Sequence, residues 1–439
     1  MCLMMSDCLR TLRCTLSIYD LVDEITVHTP LTQLLAALRG IVSLERADFH
    51  FFLPQADDTA EEYLRYSGTL FALLDRFLSA FLADCRTLKE LRLRDVPYTA
   101  TLFKCIACLP HLQEFDWKLQ PAPDTLRPLR RAVPLSHLEL EIPSPFPSLR
   151  SWYLNLNLDA VNDAYPTEGF LAAFLDSTTH SPIRSIVLSW IASKEWVYDI
   201  VEIIARTWPM LRDLTLAVHP PLDHGLVHVH LPPGDDVRTS WGRWTLHTFR
   251  PLLKCANLEI VNLHVHENYS FAFTDKELSQ MKAWPLLRSL RVVQASDACE
   301  CQRPQVTVMG LIALLLACPS LQDVTLEIDL NPAVHPNLLQ VWTTTLVNSQ
   351  LRQLRIGNAS IRKPEQIASL LFAIAPNMAS LEFGPMRLPE INTFQTGSDE
   401  VVTNNIVGME AELERIKNAQ AVNRFLRKLR ASQRRNGGK

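Results

Sequence analysis

The sequence predicts an α/β solenoid, with a parallel β-sheet on the concave face and helices on the convex face. Three observations lead there. A six-residue pattern, apolar-x-x-apolar-x-apolar, recurs in order along nearly the whole chain of 439 residues. The last half of each copy alternates apolar and polar residues, which is the period of a strand with one buried face. Between copies lie stretches with apolar residues every three or four positions, the period of an amphipathic helix. Strand and helix alternating at roughly 23 to 35 residues imply a parallel sheet, because each strand is re-entered from the same end.

Taken in chain order, weak copies of the pattern sit at Leu9 to Cys14 and Leu44 to Phe49, followed by Leu88-Leu91-Leu93 and Leu112-Phe115-Trp117. Next come Leu135-Leu138-Leu140, Leu149-Trp152-Leu154, Ile183-Ile186-Leu188 and Leu211-Leu214-Leu216. The series continues through Leu258-Val261-Leu263, Leu287-Leu290-Val292, Leu321-Val324-Leu326, Leu351-Leu354-Ile356 and Met378-Leu381-Phe383. One or two matches in a Leu-rich chain would be chance, whereas an ordered series defines a leucine-rich-repeat-like solenoid over residues 1–389. Helices are predicted over Leu70, Leu73, Leu74, Phe77 and Phe81, and over Ile367, Leu370, Leu371 and Ile374. Thr274 with Glu277 has the spacing of a capping box, and Pro364 suits a first helical turn.

Irregular spacings locate the insertions. Leu135 to Leu149 is only 14 residues and contains Pro143, Pro145 and Pro147, so an extended loop is expected there in place of a crossover helix. Leu211 to Leu258 is 47 residues, and its Pro220, Pro221, Pro232, Pro233 and Gly234 predict a surface loop at about 217–243, before a short helix near Trp244 to Cys255. A polar linker is expected at 390–408 and a basic amphipathic helix at 409–439, with a stripe of Leu413, Ile416, Val422, Phe425, Leu426 and Leu429. From Arg415 to Lys439 there are nine Lys or Arg and no acid. Such a helix is expected to cap the last repeat with its apolar stripe while its charges face water; the alternative is an interaction tail for an acidic surface, nucleic acid or lipid head groups.

A hydrophobic fraction of 47% with 21% charged residues describes a folded chain, and a formal charge of −4 provides no global basic field for nucleic acid. The longest purely apolar run, Leu311 to Cys318, is too short to span a bilayer. Ten scattered cysteines and a start without a secretory layout are read as free thiols in the cytosol or nucleus.

The phrases Trp208-Pro209-Met210-Leu211-Arg212-Asp213-Leu214, Trp284-Pro285-Leu286-Leu287-Arg288-Ser289-Leu290 and Gly310-Leu311-Ile312-Ala313-Leu314-Leu315-Leu316-Ala317-Cys318-Pro319-Ser320-Leu321 resemble the repeats of the large fungal (basidiomycete) F-box and leucine-rich-repeat family. The resemblance covers about Leu9 to Pro385. It implies a receptor whose repeats capture a protein substrate, with an N-terminal F-box binding the adaptor subunit of a cullin-RING ubiquitin ligase. This sequence departs from that pattern before Leu9, where no Leu-Pro and acidic-apolar opening is found. The expectation is a recognition half whose coupling segment was lost or lies upstream; the alternative is a stand-alone interaction protein with no ligase link.

No enzyme or cofactor is expected. With 13 Gly in the chain there is no Gly-rich phosphate loop, no Gly-x-Ser-x-Gly and no His-Glu-x-x-His. Cys105-x-x-Cys108 lacks two further convergent ligands and is read as buried thiols packing on the sheet. His228-x-His230 and His264-x-His266 would aim each pair to one side of a strand, without carboxylate or Cys spacing to complete a metal site.

The remaining signal is the concave row. If the apolar positions point inward, the residues between them face a partner. They include Glu90, Arg92, Arg94, Glu114, Asp116, Lys118, Glu139, Glu141, Tyr153 and Asn155, then Asp213, Asn262, His264, Arg291, Asp323, Glu327, Arg355 and Glu382. Acids outnumber bases there by about two to one, which predicts a ligand with basic or amide groups and Tyr153 as an aromatic anchor.

Overall fold

The structure, a computed structural model, describes residues 9–17, 33, 38, 43–52, 60–94, 96, 99–118, 145–156, 171, 174–175, 177–191, 194–219, 243–265, 270–294, 304–330, 350–357, 361, 363–383 and 405–437. They fall into two compact units, the first within Met1–Ser193 and the second within Lys194–Pro220 and Pro233–Lys439.

In the first unit the strands are β1 (Thr11–Ser17), β2 (Arg46–Phe52), β3 (Glu90–Arg94), β4 (Glu114–Lys118), β5 (Ser151–Leu156) and β6 (Ser185–Ile191). They lie side by side in chain order, every pair parallel. Both weak copies at the start of the series are therefore genuine strands, in register with their neighbours. β4 pairs directly with β5, so the sheet has no place between them for the strand that Leu135-Leu138-Leu140 predicts. The 14-residue spacing from Leu135 to Leu149 is too short for a further parallel crossover, and residues 119–144 lie outside the described ones.

Register turns the alternation of each strand into rows. Leu12, Ala47, Leu91, Phe115, Trp152 and Ile186 form one row, and Cys14, Phe49, Leu93, Trp117, Leu154 and Leu188 another. From Ala47 and Phe49 onward both rows are buried. Helices α1 (Ala60–Asp84) and α2 (Ala100–Ala107) cover this face. Phe77 and Phe81 of α1 meet Phe49 edge-on, with ring centroids 6.2 and 5.1 Å apart. Cys105 is only half buried and Cys108 is exposed. This corrects the expectation of core thiols, because Leu102, Phe103 and Ile106 already occupy the inner face of α2.

The second unit repeats the plan with β7 (Asp213–His219), β9 (Ile260–Val265), β11 (Ser289–Gln294), β12 (Asp323–Leu326), β13 (Gln353–Ile356) and β14 (Ser380–Phe383), again parallel and in chain order. A separate two-stranded pair, β8 (Arg243–Trp244) with β10 (Ser270–Phe271), lies outside that order. Helices α3 (Lys194–Thr207), α4 (Leu246–Phe249), α5 (Asp275–Gln280), α6 (Val308–Ala317) and α7 (Pro364–Ile374) alternate with the strands. Two expected boundaries move. β7 continues through His219, so the predicted loop at 217–243 begins later, and Trp244 belongs to β8, with α4 starting at Leu246.

The turn from helix to strand explains the recurrent Pro. In Trp208-Pro209-Met210-Leu211, Trp284-Pro285-Leu286-Leu287, Cys318-Pro319-Ser320-Leu321 and Ala375-Pro376-Asn377-Met378, the fourth residue donates its N–H to the first residue's carbonyl at 3.0 to 3.1 Å. Proline at the second position presets the dihedral that this turn needs. After the turn, one carbonyl accepts two N–H groups from the next repeat. The series runs through Arg10, Glu45, Lys89, Gln113 and Arg150 in the first unit, and Arg212, Glu259, Arg288, Gln322 and Arg352 in the second.

Carboxylates join neighbouring helices at their starts. The expected capping box at Thr274 and Glu277 forms, and Glu277 also accepts the Leu246 N–H of α4 at 3.1 Å. Asp275 accepts both the N–H and the hydroxyl of Thr307, the N-cap of α6, at 2.7 Å each. The backbone of Gly310 approaches this carboxylate so closely that a Cβ there would collide with the Asp275 Oδ1. In the first unit Asp75 of α1 likewise accepts the hydroxyl of Thr99, the N-cap of α2.

The last element, α8 (Asn405–Gly437), packs on α7 and β14. It starts at Asn405, inside the stretch expected to be linker. Ala419, Val422 and Leu426 are its buried stripe. Asn423 meets the edge strand itself: its amide donates to the Leu381 carbonyl at 2.7 Å, and its side-chain oxygen accepts the Leu381 N–H at 3.0 Å. One side chain thus occupies an edge position where another strand would otherwise pair.

Two predictions follow from these contacts. Asn423→Ala strands both Leu381 backbone groups and should destabilise the second unit by about 1–3 kcal/mol, measured as a lower urea midpoint at unchanged slope. Gly310→Ala should cost about 1–3 kcal/mol by overpacking, and less in an Asp275→Ala background. Additive losses in that double-mutant cycle would show that the two residues do not touch.

Candidate functional site

The rows between the buried ones form the open face of each sheet. In the first unit they are Thr11, Arg46, Glu90, Glu114, Ser151 and Ser185; Arg13, Asp48, Arg92, Asp116, Tyr153 and Val187; and Thr15, His50, Arg94, Lys118, Asn155 and Ser189. The middle row alternates in sign from Arg13 to Asp116 before reaching Tyr153. Arg13 pairs with Asp48 at 3.6 Å and Arg46 with Glu90 at 2.9 Å. Such exposed pairs contribute little stability, but they hold long side chains in register with the strands beneath.

Asp116 and Tyr153 are the half-buried centre of this face. Burial pushes the Asp116 carboxyl above its usual value, against the pull of Arg94 and Arg92. Burial also raises the Tyr153 phenol, with the Asp116 charge adding to it and a hydrogen bond to Asn155 opposing it. Asn155 is only 3% exposed. It therefore holds the Tyr153 phenol from the adjacent row and, being buried, does not meet a partner, which corrects its place among the contact candidates. Arg92 and Glu114 are exposed, and Arg94 is half buried. Glu139 and Glu141 lie outside the described residues.

In the second unit the open rows are Asp213, Ile260, Ser289, Asp323, Gln353 and Ser380; Thr215, Asn262, Arg291, Thr325, Arg355 and Glu382; and Ala217, His264 and Val293. Arg291 and Arg355 are exposed, and the Arg355 Nε donates to Glu382 at 2.9 Å. Asp213, Asp323 and Glu327 are half buried, and burial raises the carboxyls of Asp213 and Glu327. Asn262 donates to the Thr215 hydroxyl at 3.0 Å. Its Oδ1 and the His264 Nδ1 are buried without a hydrogen-bond partner among the described residues.

The acid surplus expected for this surface is not found in the first unit, whereas in the second Asp213, Asp323, Glu327 and Glu382 face Arg291 and Arg355. Arg13 and Arg46 of the two weak copies, with Arg92, Arg94 and Lys118, balance Asp48, Glu90, Glu114 and Asp116 in the first unit. Sequence reasoning also missed a charged rim. Arg212 and Arg288 flank Glu259 at 3.5 and 3.6 Å, beside the exposed apolar Met210, Ile260 and Leu286. Its signal was the second residue of each six-residue copy, which is Lys89, Gln113, Arg150, Arg184, Arg212, Glu259, Arg288, Gln322 or Arg352 as the chain proceeds. Among the described residues no group of three His, Cys, Asp or Glu is arranged to hold a metal ion, and no helix is long and apolar enough to cross a membrane.

No family model matches the sequence, and no curated protein matches it at a significant level. Among solved structures the chain is similar to one of the yeast Rad7 and Elc1 complex, at 14% identity and a TM-score of 0.34, covering 85% of each chain. It is also similar to a chain of the TLR13–ssRNA13 complex, at 12% identity and a TM-score of 0.31, covering 81% of this chain and 48% of that one. A sugar phosphate isomerase/epimerase from Parabacteroides distasonis matches at 11% identity and a TM-score of 0.16, covering 73% of this chain and 94% of that one. At TM-scores this low, none of these likenesses carries an argument about function.

His264 gives the open face of the second unit a pH dependence. Burial, with the nearby Arg291 charge, lowers its pKa from 6.5 to about 4. The folded ring therefore stays neutral while the unfolded chain takes up a proton near pH 6.5. Stability is held above pH 6.5 and lost as pH falls from 6.5 towards 4, by on the order of 3 kcal/mol. The raised carboxyls of Asp116, Asp213 and Glu327 act in the opposite sense, so the comparison must be with a variant. Urea unfolding of His264→Gln at pH 7 and pH 5 should show a smaller loss than the parent; equal losses would remove His264 as the cause.

Proposed function

We propose that this chain is a protein-binding repeat scaffold, the substrate-recognition part of an F-box-type receptor for a cullin-RING ubiquitin ligase. The observation that carries the binding reading is the open face. Charged and aromatic side chains from successive repeats stand there in parallel register. A scaffold of this kind does no chemistry. It holds an extended set of contacts fixed relative to one another, so that complementarity is met across several strands at once.

The partner best suited to this surface presents amide or guanidinium donors to the half-buried Asp213, Asp323 and Glu327, and opposite charges to the alternating row of the first unit. Tyr153 is the anchor, hydrogen-bonded to Asn155 in the adjacent row. The ligase link is supported by the Trp-Pro and Gly-Leu-Ile-Ala-Leu-Leu-Leu-Ala-Cys-Pro phrases, which resemble those of F-box receptors. Such a receptor would act in the cytoplasm or nucleus.

Affinity purification of the full-length protein should recover cullin and adaptor subunits together with a substrate. Capture of that substrate by Asp116→Lys combined with Asp213→Lys should fall about tenfold at low salt, equivalent to roughly 1.4 kcal/mol. A substrate recovered without cullin or adaptor would leave the scaffold and remove the ligase link, and unchanged capture by the double variant would remove the open face as the site.

A further inference from the structure

The junction between α8 and the last repeat holds a feature that capping does not explain. A cleft of about 340 Å³ opens there, lined by Pro376, Asn377, Ala379, Arg430, Gln433 and Arg434. Among the described residues no carboxylate lines it. Arg430 spans its floor, where the Nε donates to the Pro376 carbonyl and the Nη1 to the Ala379 carbonyl, at 3.4 Å each. These bonds tie the guanidinium to the turn after α7 and fix its plane. The Nη2 is shut off from water and has no hydrogen-bond partner among the described residues.

Arg427 and Arg434 stand three residues before and four after Arg430, so helical spacing places all three on one side of α8. Burial, then repulsion from Arg434 and Arg427, pulls the Arg430 guanidinium below its usual value. The helix offers no relief, since no Asp or Glu follows Glu414. A tail whose only task was to cap the sheet would need the apolar stripe and Asn423. It would not need three guanidinium groups on one side of the helix, two of them lining a cleft with no counter-charge among the described residues.

We propose that this cleft binds a phosphate group, with Arg430 and Arg434 as its charged partners and Gln433 and Asn377 as neutral ones. The arrangement suits that ligand: guanidinium groups pair with phosphate oxygens through two parallel N–H donors, and the pairing is strongest where water is partly excluded. The exposed Arg434 supplies the paired N–H donors, and Arg430, tied to the Pro376 and Ala379 carbonyls, adds its positive charge from the lining. This site is separate from the open face and does not rest on the proposed ligase link.

The test is ³¹P NMR titration of the full chain with inorganic phosphate and, separately, with phosphoserine, at constant ionic strength. Saturable binding at one site is expected, and Arg434→Gln should weaken it about tenfold while leaving the thermal midpoint unchanged, because Arg434 is exposed. Arg424→Gln, an exposed change outside the cleft lining, should leave the affinity as it was. Tighter binding of phosphoserine assigns the ligand to a phosphorylated protein side chain, and tighter binding of inorganic phosphate to a free anion. The proposal is overturned if the parent shows no saturable binding, or if Arg424→Gln weakens it as much as Arg434→Gln.

Discussion

The structure depends on one backbone contact repeated from strand to strand: a single carbonyl, just before each strand, accepts two N–H groups of the next repeat. Arg10 passes this contact to Glu45, then to Lys89, Gln113 and Arg150, and the second unit repeats it from Arg212 to Arg352. The contact pins the start of each strand against its predecessor. Register then has no freedom, and a slip of one residue would turn Leu91, Phe115 and Trp152 out to water and Arg92, Asp116 and Tyr153 into the core. The open face is a surface, and not a set of scattered polar residues, because of that constraint.

Other contacts serve the same stacking. Helix starts are tied across repeats by Asp75, Asp275 and Glu277, and buried groups lean on the preceding repeat. The Trp284 indole donates to the Leu252 carbonyl at 2.8 Å, and the Cys318 thiol to the Met281 carbonyl at 3.4 Å. Burial pushes the thiols of Cys85 and Cys318 up to about 12 and that of Cys255 to about 11, which keeps them protonated as small apolar fillers. A stacked array leaves an open edge at β14, and there Asn423 substitutes for a strand.

How much of this could be read beforehand follows from distance along the chain. Strand positions were legible down to single residues, since Leu88, Leu112, Leu149 and their counterparts announce each turn and the alternation after them names the buried side. The capping box at Thr274 was legible because both its members lie within one turn. By contrast, the Asp275–Thr307 and Asn423–Leu381 pairs are separated by 32 and 42 residues, and nothing local marks either partner. Asn155 looked like an exposed contact because alternation gives direction and not depth. Leu138 met a different limit, since it lies outside the described residues, and β4 pairs directly with β5.

The central claim, that a partner is held on the rows between the buried ones, is tested most directly by site-specific photo-crosslinking. A photoreactive residue placed in turn at Arg92 and Arg291 on the open face, and at Arg76 and Glu202 on the outer helices, samples both sides with exposed positions. Crosslinks to the captured protein are expected from 92 and 291 and not from 76 and 202. Crosslinks from the helix positions with none from the strands would contradict it.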